Sequence, residues 1–286
     1  MTTATLDRAA NPSSPSLTEG RYGFRTVAQM EWLKLRSVRS TWWTLLIFAA
    51  GMIGLAIPIL IHQDWATMSA TDRASFDPTN DSFAGLAIGQ LALGVLGVLA
   101  VTSEFSSGMI RATFAAAPRR PLVLAAKAAI VAAVALVAGE ILAFVAFGIG
   151  EVVLKNPAPH ATLGQPGVLR AVLMAGAYPA LIALIGLGLG AIIRHTAGAI
   201  SAVVGVLFVL PLILLPFGTS IQNSVGQFMP MLIAENSLTA VKPLAHSLPA
   251  GVGFALLCGY AAAALAAGGW APRRRWPGSS PRRTPW

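Results

Sequence analysis

The stretch LVLAAKAAIVAAVALVAGEILAFVAFGI, residues 122–149, decides the fold of this chain. It is apolar throughout except for Lys127 and Glu140. A helix needs roughly 20 apolar residues to cross a hydrocarbon core of about 30 Å. A strand of a membrane barrel would instead alternate apolar and polar residues, and this stretch does not. It is therefore predicted to be a transmembrane helix.

Five further stretches have the same character, at residues 42–61, 83–101, 168–193, 197–217 and 249–270. The composition agrees, because only 11% of the 286 residues are charged, against about 25% in soluble proteins. The mean hydropathy is +0.69. The sequence predicts an all-α membrane protein with six transmembrane helices.

The positive charges predict the orientation of these helices. With a cytoplasmic N-terminus, all but four of the 20 lysines and arginines fall on the cytoplasmic side; the four are Arg73, Lys155, Arg170 and Lys242. An excess of lysine and arginine is typical of the cytoplasmic loops of membrane proteins. We therefore expect a multi-pass protein of the cytoplasmic membrane with both termini inside. The net charge of +9 follows the membrane rule and does not indicate nucleic acid binding.

The turn between the fourth and fifth spans tests this count. Only Arg194, His195 and Thr196 separate the two apolar stretches, which predicts a tight hairpin at the cytoplasmic face. A single re-entrant element would instead place the C-terminus outside. The five arginines between residues 273 and 283 argue against that arrangement.

The chain divides into four predicted regions. Residues 1–20 have the composition of a disordered tail, and residues 42–270 form the membrane domain, followed by a basic cytoplasmic tail at 271–286. Residues 21–41 read as an amphipathic helix on the inner membrane surface. Its polar candidates are Glu31, Lys34, Arg36 and Arg39. Such a helix serves either as an anchor alone or as a functional interface.

Two patterns concern packing. Gly85/Gly89 and Gly186/Gly190 have the spacing that allows close helix approach in lipid, and we interpret them as packing sites.

In the last outer loop, residues 227–240 are moderately apolar and are predicted to form a short surface helix. It would either cap a pathway or close the fold.

The sequence lacks the patterns of the common catalytic sites. There is no GxxxxGK[ST] loop for phosphate binding and no HExxH zinc pattern. The four histidines are scattered through loops, and Cys258 is the single cysteine. We therefore expect no catalytic residue, no metal site and no cofactor in this chain.

Glu140 is the ionisable residue deepest in a predicted span. Such a residue is a functional hypothesis by default, since its charge is costly in the bilayer. It would either line a pathway, contact another helix, or act as a proton or cation site.

The loop between the second and third spans, TSEFSSGMIRATFAAAPRRPLVLAAK at residues 102–127, is longer than a turn requires. Glu104 falls near a helix C-terminus, which disfavours a negative charge. We expect a cationic partner for it, from Arg111, Arg119, Arg120 or the basic N-terminal helix. A helix starting at Gly108 would place Ile110 and Phe114 on one face. The loop is then a docking surface, or alternatively a solvated turn whose arginines bind phospholipid.

These segments carry a family resemblance. The pattern Ser-Glu-Phe-x-x-Gly-x-Ile-Arg-x-Thr at residues 103–113, then Pro118-Arg119-Arg120 and Lys127, resembles the permease subunits of ABC-2 type ABC transporters. Those of high-GC Gram-positive bacteria are the most similar. The stretch EWLKLRSVRSTW at residues 31–42 is similar to the entry to their first span.

The resemblance implies six membrane helices, an N-terminal interface helix and a short cytoplasmic coupling helix at about residues 108–117. In the family this loop contacts a separate ATPase subunit, which binds ATP and magnesium, and two permeases assemble around the pathway. It implies an exporter subunit that is not itself an enzyme. The coupling residues would be Glu104, Gly108, Ile110, Arg111, Phe114, Pro118 and Arg120. Two alternatives remain: an ion-gradient-driven carrier using Glu140, and a non-transporting scaffold that recruits a soluble partner.

Overall fold

The computed structural model describes residues 23–62, 65–109, 113, 120–155, 157–217, 219–241 and 247–270. Within these ranges all regular secondary structure is helical. Six helices are long and apolar enough to cross a membrane. The predicted all-α, six-helix membrane fold is confirmed, and the chain is a multi-pass membrane protein.

The helices follow one another in a simple order. They are α1 Phe24–Ser37, α2 Arg39–His62, α3 Ala70–Ser75, α4 Pro78–Ser82, α5 Leu86–Ser106, α6 Arg120–Val153, α7 Val168–Ile193, α8 Thr196–Leu214, α9 Thr219–Gly226, α10 Pro230–Leu238 and α11 Ala250–Trp270. The spans are α2, α5, α6, α7, α8 and α11. We call the end of the bundle that carries α1 the α1 end, and the other the far end.

Helix α7 lies at the centre of the bundle and packs against α5, α6 and α11. Small residues make these contacts close. A Cβ atom on Gly97 of α5 would lie 1.9 Å from the carbonyl oxygen of Ala183 in α7. A Cβ on Gly186 would lie 2.3 Å from the carbonyl oxygen of Gly94. Because lipid provides little hydrophobic drive between helices, such backbone contacts dominate their packing.

The glycine pair at the start of α5 packs in the same way. A Cβ on Gly85 would lie 2.0 Å from the carbonyl oxygen of Met52, and one on Gly89 would meet the ring of Phe48. Gly190 of α7 faces Val101 of α5. The interpretation of both GxxxG pairs as packing sites is confirmed.

The connection between α7 and α8 is a tight hairpin, as predicted. Arg194 ends α7 in the left-handed conformation, with φ of 59°, and its N–H donates to the carbonyl of Gly190. His195 caps α8 by accepting from the N–H of Gly198. The predicted turn was one residue too long, because Thr196 already belongs to α8.

Helix α1 lies within the range 21–41 predicted for an interface helix, and it ends before the predicted limit of residue 41. Helix α1 ends at Ser37, Val38 is extended, and residues 39–41 already belong to the first span. The two helices are separated because the backbone of Val38 is extended, with φ of −87° and ψ of 122°. The tails at 1–20 and 271–286 lie outside the described residues, as does most of the predicted coupling helix at 108–117.

At the far end, α10 packs on α11 and α7 and buries Ile233, Ala234 and Leu238. The predicted helix at 227–240 is present with narrower bounds, but most of its residues are buried against the bundle, so the prediction that it lies on the surface is wrong. Asp77 connects this region to α4. One of its carboxylate oxygens caps α4, and the other accepts from the N–H groups of Ala240 and Val241 at 2.6 and 3.0 Å.

Candidate functional site

Four charged side chains meet at the α1 end, and we call them the ion cluster: Glu31, Lys34, Glu104 and Lys127. The Nζ atom of Lys34 lies 2.8 Å from Oε1 of Glu31 and 2.9 Å from Oε1 of Glu104. The Nζ atom of Lys127 lies 2.8 Å from the same Glu104 oxygen and also contacts Oε2 of Glu31. Each ammonium therefore contacts both carboxylates. The cluster is formally neutral.

The cluster joins three elements that are distant in sequence. Glu31 and Lys34 lie one turn apart on α1, Glu104 lies in the last turn of α5, and Lys127 lies in the second turn of α6. The side chains of Glu31, Glu104 and Lys127 are 3%, 6% and 5% exposed, and that of Lys34 is 26% exposed. Burial at this level weakens the screening of charge by water, so the loss of any one partner is costly.

The amphipathic pattern of α1 explains how this site forms. Val27, Glu31 and Leu35 recur at four-residue intervals and are the buried residues of the helix. Val27 packs against Val123 and Ala126 of α6. Lys127 lies one turn after Val123 on the same face of α6, and Glu31 lies one turn after Val27 on α1. The apolar contact of Val27 with Val123 therefore places Glu31 beside Lys127.

Lys34 is held in its charged form by this arrangement. Burial acts to lower the pKa of its ammonium, but the hydrogen bonds and charges of Glu31 and Glu104 outweigh that effect, so the pKa lies above its ordinary value of 10.5. Lys34 also donates to Oγ1 of Thr113 at 3.4 Å. This contact links the cluster to the loop between α5 and α6.

The predicted cationic partner of Glu104 is found on the basic N-terminal helix, one of the sources expected from the sequence. Lys127 is a second partner that sequence reasoning did not assign to this role. The loop residues Ile110, Arg111, Phe114, Pro118 and Arg119 lie outside the described residues, as does the side chain of Arg120.

Two other predicted interface residues do not join the cluster. Arg36 and Arg39 are exposed at the junction of α1 and α2. Gly108, in contrast, has a clear local role. Its φ of 72° is left-handed, a conformation that favours glycine just after a helix end. It turns the chain away from α5 and into the loop.

Glu140 lies away from the ion cluster, at the contact of α6 with α7. Its carboxyl packs against Gly176, where a Cβ atom would come within 2.5 Å of the carboxyl carbon. Its Oε2 atom has no hydrogen-bond partner within the described ranges. Arg170, the partner considered from the sequence, donates instead to the carbonyl of Thr239 at 2.8 Å. The structure thus places Glu140 at a helix contact.

Sequence reasoning also missed Asp77 and the pair of Tyr178 with Gln90. The hydroxyl of Tyr178 in α7 donates to Oε1 of Gln90 in α5, and both side chains are buried. A cue for Asp77 was present, because Asp followed by Pro is typical of a helix N-terminus. The Tyr–Gln pair had no local signal, since its members are 88 residues apart.

Comparison with known proteins adds no family to this picture. No protein-family model matches the chain, and no curated protein matches it either.

Proposed function

We propose that this chain is the membrane-spanning permease subunit of an ABC-2 type ABC transporter, acting as an exporter. The observation that carries the proposal is the ion cluster. It joins the two segments that resemble such permeases: residues 31–42 supply Glu31 and Lys34, and residues 102–127 supply Glu104 and Lys127.

The geometry suits the transmission of force. Glu104 and Lys127 lie on either side of the loop between α5 and α6, and both bind α1. A partner that pushes on this loop would move the ends of α5 and α6 together with α1 as one body. Since α5 and α6 both pack on the central α7, this motion would reach the middle of the bundle.

The proposal includes partners and orientation. The protein lies in the cell membrane, with the loop between α5 and α6 and both termini on the cytoplasmic side. A separate ATPase subunit docks on the loop through Phe114 and Arg111 and holds ATP and magnesium, and a second permease copy or paralogue completes the pathway. The charge asymmetry of the loops supports this orientation, and the absence of a phosphate-binding loop from the sequence supports a separate ATPase.

Affinity purification from native membranes tests the proposal. We expect the tagged chain to retain an ABC ATPase, identified by mass spectrometry, and the reconstituted complex to hydrolyse ATP. The variants Phe114→Asp and Arg111→Glu should reduce ATPase recovery at least about tenfold, as expected for the loss of an interface anchor. Lys155→Glu is the matched control, because Lys155 is exposed at the far end. Equal recovery with all three variants would refute the docking role of the loop.

The same material separates the two alternatives. Transport driven by an ion gradient, without a second protein and abolished by Glu140→Gln, would identify a secondary carrier. Recruitment of a soluble protein that is not an ATPase would identify a scaffold. The helix contact of Glu140 with Gly176 favours neither over the permease.

A further inference from the structure

A cavity of about 260 Å³ lies at the far end of the bundle, between α4, the start of α5, α7 and α10. Its volume is just below the range of roughly 300–1,000 Å³ that is usual for drug-sized ligands, so it suits a smaller molecule. Much of its wall is apolar, formed mainly by Phe83, Leu86, Ala87, Met231, Ala234 and Leu238.

Asp77 holds two walls of this cavity together. Its Oδ1 atom accepts hydrogen bonds from the N–H groups of Thr79 and Asn80 at the start of α4, at 3.1 and 3.2 Å. Its Oδ2 atom accepts from the N–H groups of Ala240 and Val241, just after α10. The cavity is therefore part of the folded frame, and a ligand does not have to spend binding energy on forming it.

A buried polar pair also lines the cavity. Gln90 and Tyr178 are 1% and 2% exposed. The hydroxyl of Tyr178 donates its single proton to Oε1 of Gln90, and Nε2 of Gln90 donates to the carbonyl of Ala87 at 2.8 Å. The tyrosine oxygen therefore offers only its lone pairs to a ligand. This part of the wall is polar and carries no charge.

The charge of the cavity comes from two carboxylates, Asp81 of α4 and Glu235 of α10. Among the described residues that line it, there is no lysine, arginine or histidine. Glu235 is exposed, so a ligand reaches its carboxylate from solution. Neighbouring protein atoms still remove part of its water, which raises the pKa of the carboxyl above its ordinary value of 4.5. A bound cation would oppose this effect, because it favours the ionised form.

The lining favours an organic cation over a metal ion. The described part of the chain contains no group of three or more His, Cys, Asp or Glu side chains placed to hold a metal, whereas hard cations such as calcium take six to eight oxygen ligands. The apolar wall instead offers surface to carbon groups. A ligand that fits both parts of the cavity carries a positive charge on a small apolar body.

We propose that this cavity binds a small organic ammonium compound, with its charged group on the carboxylate of Glu235 and its apolar part against Phe83 and Leu238. The positive charge strengthens the hydrogen bond to the carboxylate, and the negative charge of Asp81 adds to the attraction. The site lies at the end opposite the ion cluster and needs no ATPase. It therefore goes beyond the proposed permease function, and either proposal can fail without the other.

Binding of phenethylamine to the purified full chain in a non-ionic detergent tests the chemistry, with phenethyl alcohol as the neutral probe of equal size. Affinities come from titrations followed by saturation-transfer difference NMR near neutral pH, with empty micelles subtracted. We expect saturable binding of the amine, at least about tenfold tighter than that of the alcohol, as expected for a hydrogen bond to a charged group.

Glu235→Gln keeps the shape of the side chain and removes its charge. It should weaken amine binding about tenfold and leave alcohol binding unchanged. The matched control is Asp72→Asn, since Asp72 is an exposed carboxylate at the same end that does not line the cavity. This control should bind the amine like the wild type. Ala87→Leu adds volume inside the cavity and should abolish the binding of both probes.

Three results would overturn the proposal: equal affinity of the wild type for amine and alcohol, equal amine affinity of wild type and Glu235→Gln, or equal weakening by Glu235→Gln and Asp72→Asn, which would indicate general surface charge. Undiminished amine binding by folded Ala87→Leu would place the amine elsewhere and would also refute the site. Glu235 is exposed, so its variant should fold even where Ala87→Leu does not, and thermal unfolding of each variant checks this.

Discussion

Replacement of Lys127 by methionine is the sharpest test of the ion cluster. The lysine side chain is 5% exposed and contacts both Glu31 and Glu104. Methionine has similar length and no charge, so the substitution preserves packing while removing two ion pairs. Two carboxylates then share the single ammonium of Lys34, and a buried negative charge is left uncompensated.

The expected cost is about 3–5 kcal/mol of unfolding free energy, the usual penalty for removing one member of a buried pair. Adding Glu31→Gln restores neutrality, because Lys34 then pairs with Glu104 alone at 2.9 Å. The double variant should therefore be more stable than Lys127→Met by about 2 kcal/mol, within the range of coupling between contacting groups.

Equilibrium unfolding in lipid–detergent bicelles, followed by circular dichroism, measures both effects. Lys155→Met is the control, since this lysine is exposed at the far end, and it should change stability by less than about 0.5 kcal/mol. If Lys127→Met were as stable as that control, the cluster would not hold α1 to the bundle. A double variant less stable than Lys127→Met would contradict the role of charge balance.

Three further predictions concern other contacts. Gly97→Ala should lower the free energy of unfolding by at least about 2 kcal/mol, because its Cβ would lie 1.9 Å from a backbone oxygen of α7. Gly54→Ala is the control and should not destabilise the bundle, since a Cβ there would have no atom within 4 Å. Equal effects of the two substitutions in the same unfolding assay would refute close packing at Gly97. Asp77→Ala should lower the free energy of unfolding by about 2–4 kcal/mol, since it leaves N–H groups of α4 and of residues 240–241 without their acceptor. Asp77→Asn should lower it less. The rate of proteolysis of the far-end loops in the two variants checks this order. Because the pKa of Lys34 is raised in the folded protein, its contribution to stability is complete below pH 10.5 and is lost as the pH rises through the pKa of the folded state. Wild type should therefore lose more stability than Lys34→Met only above pH 10.5. A larger loss of stability in wild type near neutral pH would contradict the ion cluster.

The cluster itself was only half predictable. Helix-dipole reasoning indicated that Glu104 needs a cation, and the basic α1 was among the named sources. The particular pairing was not, because Glu31 and Lys127 are 96 residues apart and their contact depends on how α1 crosses α6. In the sequence, Lys127 is a positive charge at the start of the third span. That position gives no information about which residue pairs with it.

Glu140 illustrates the same limit. Its cost in a membrane span marked it as unusual in the sequence, but only the approach of Gly176 shows that it packs at a helix contact. Asp77 shows the opposite case, in which a recognisable cap performs a second task. Its other oxygen binds residues 240 and 241, which no local pattern could have indicated.

Hydropathy alone determined that the chain crosses a membrane six times as helices. Each span must satisfy its own backbone hydrogen bonds in lipid, so this information is local and legible residue by residue. Tertiary structure decided which helix lies at the centre, which charges neutralise one another, and where a cavity is left at the far end. Those outcomes depend on distances between segments far apart in sequence, because in lipid the apolar surfaces of all six helices are nearly equivalent and only close backbone packing and buried polar pairs select their neighbours.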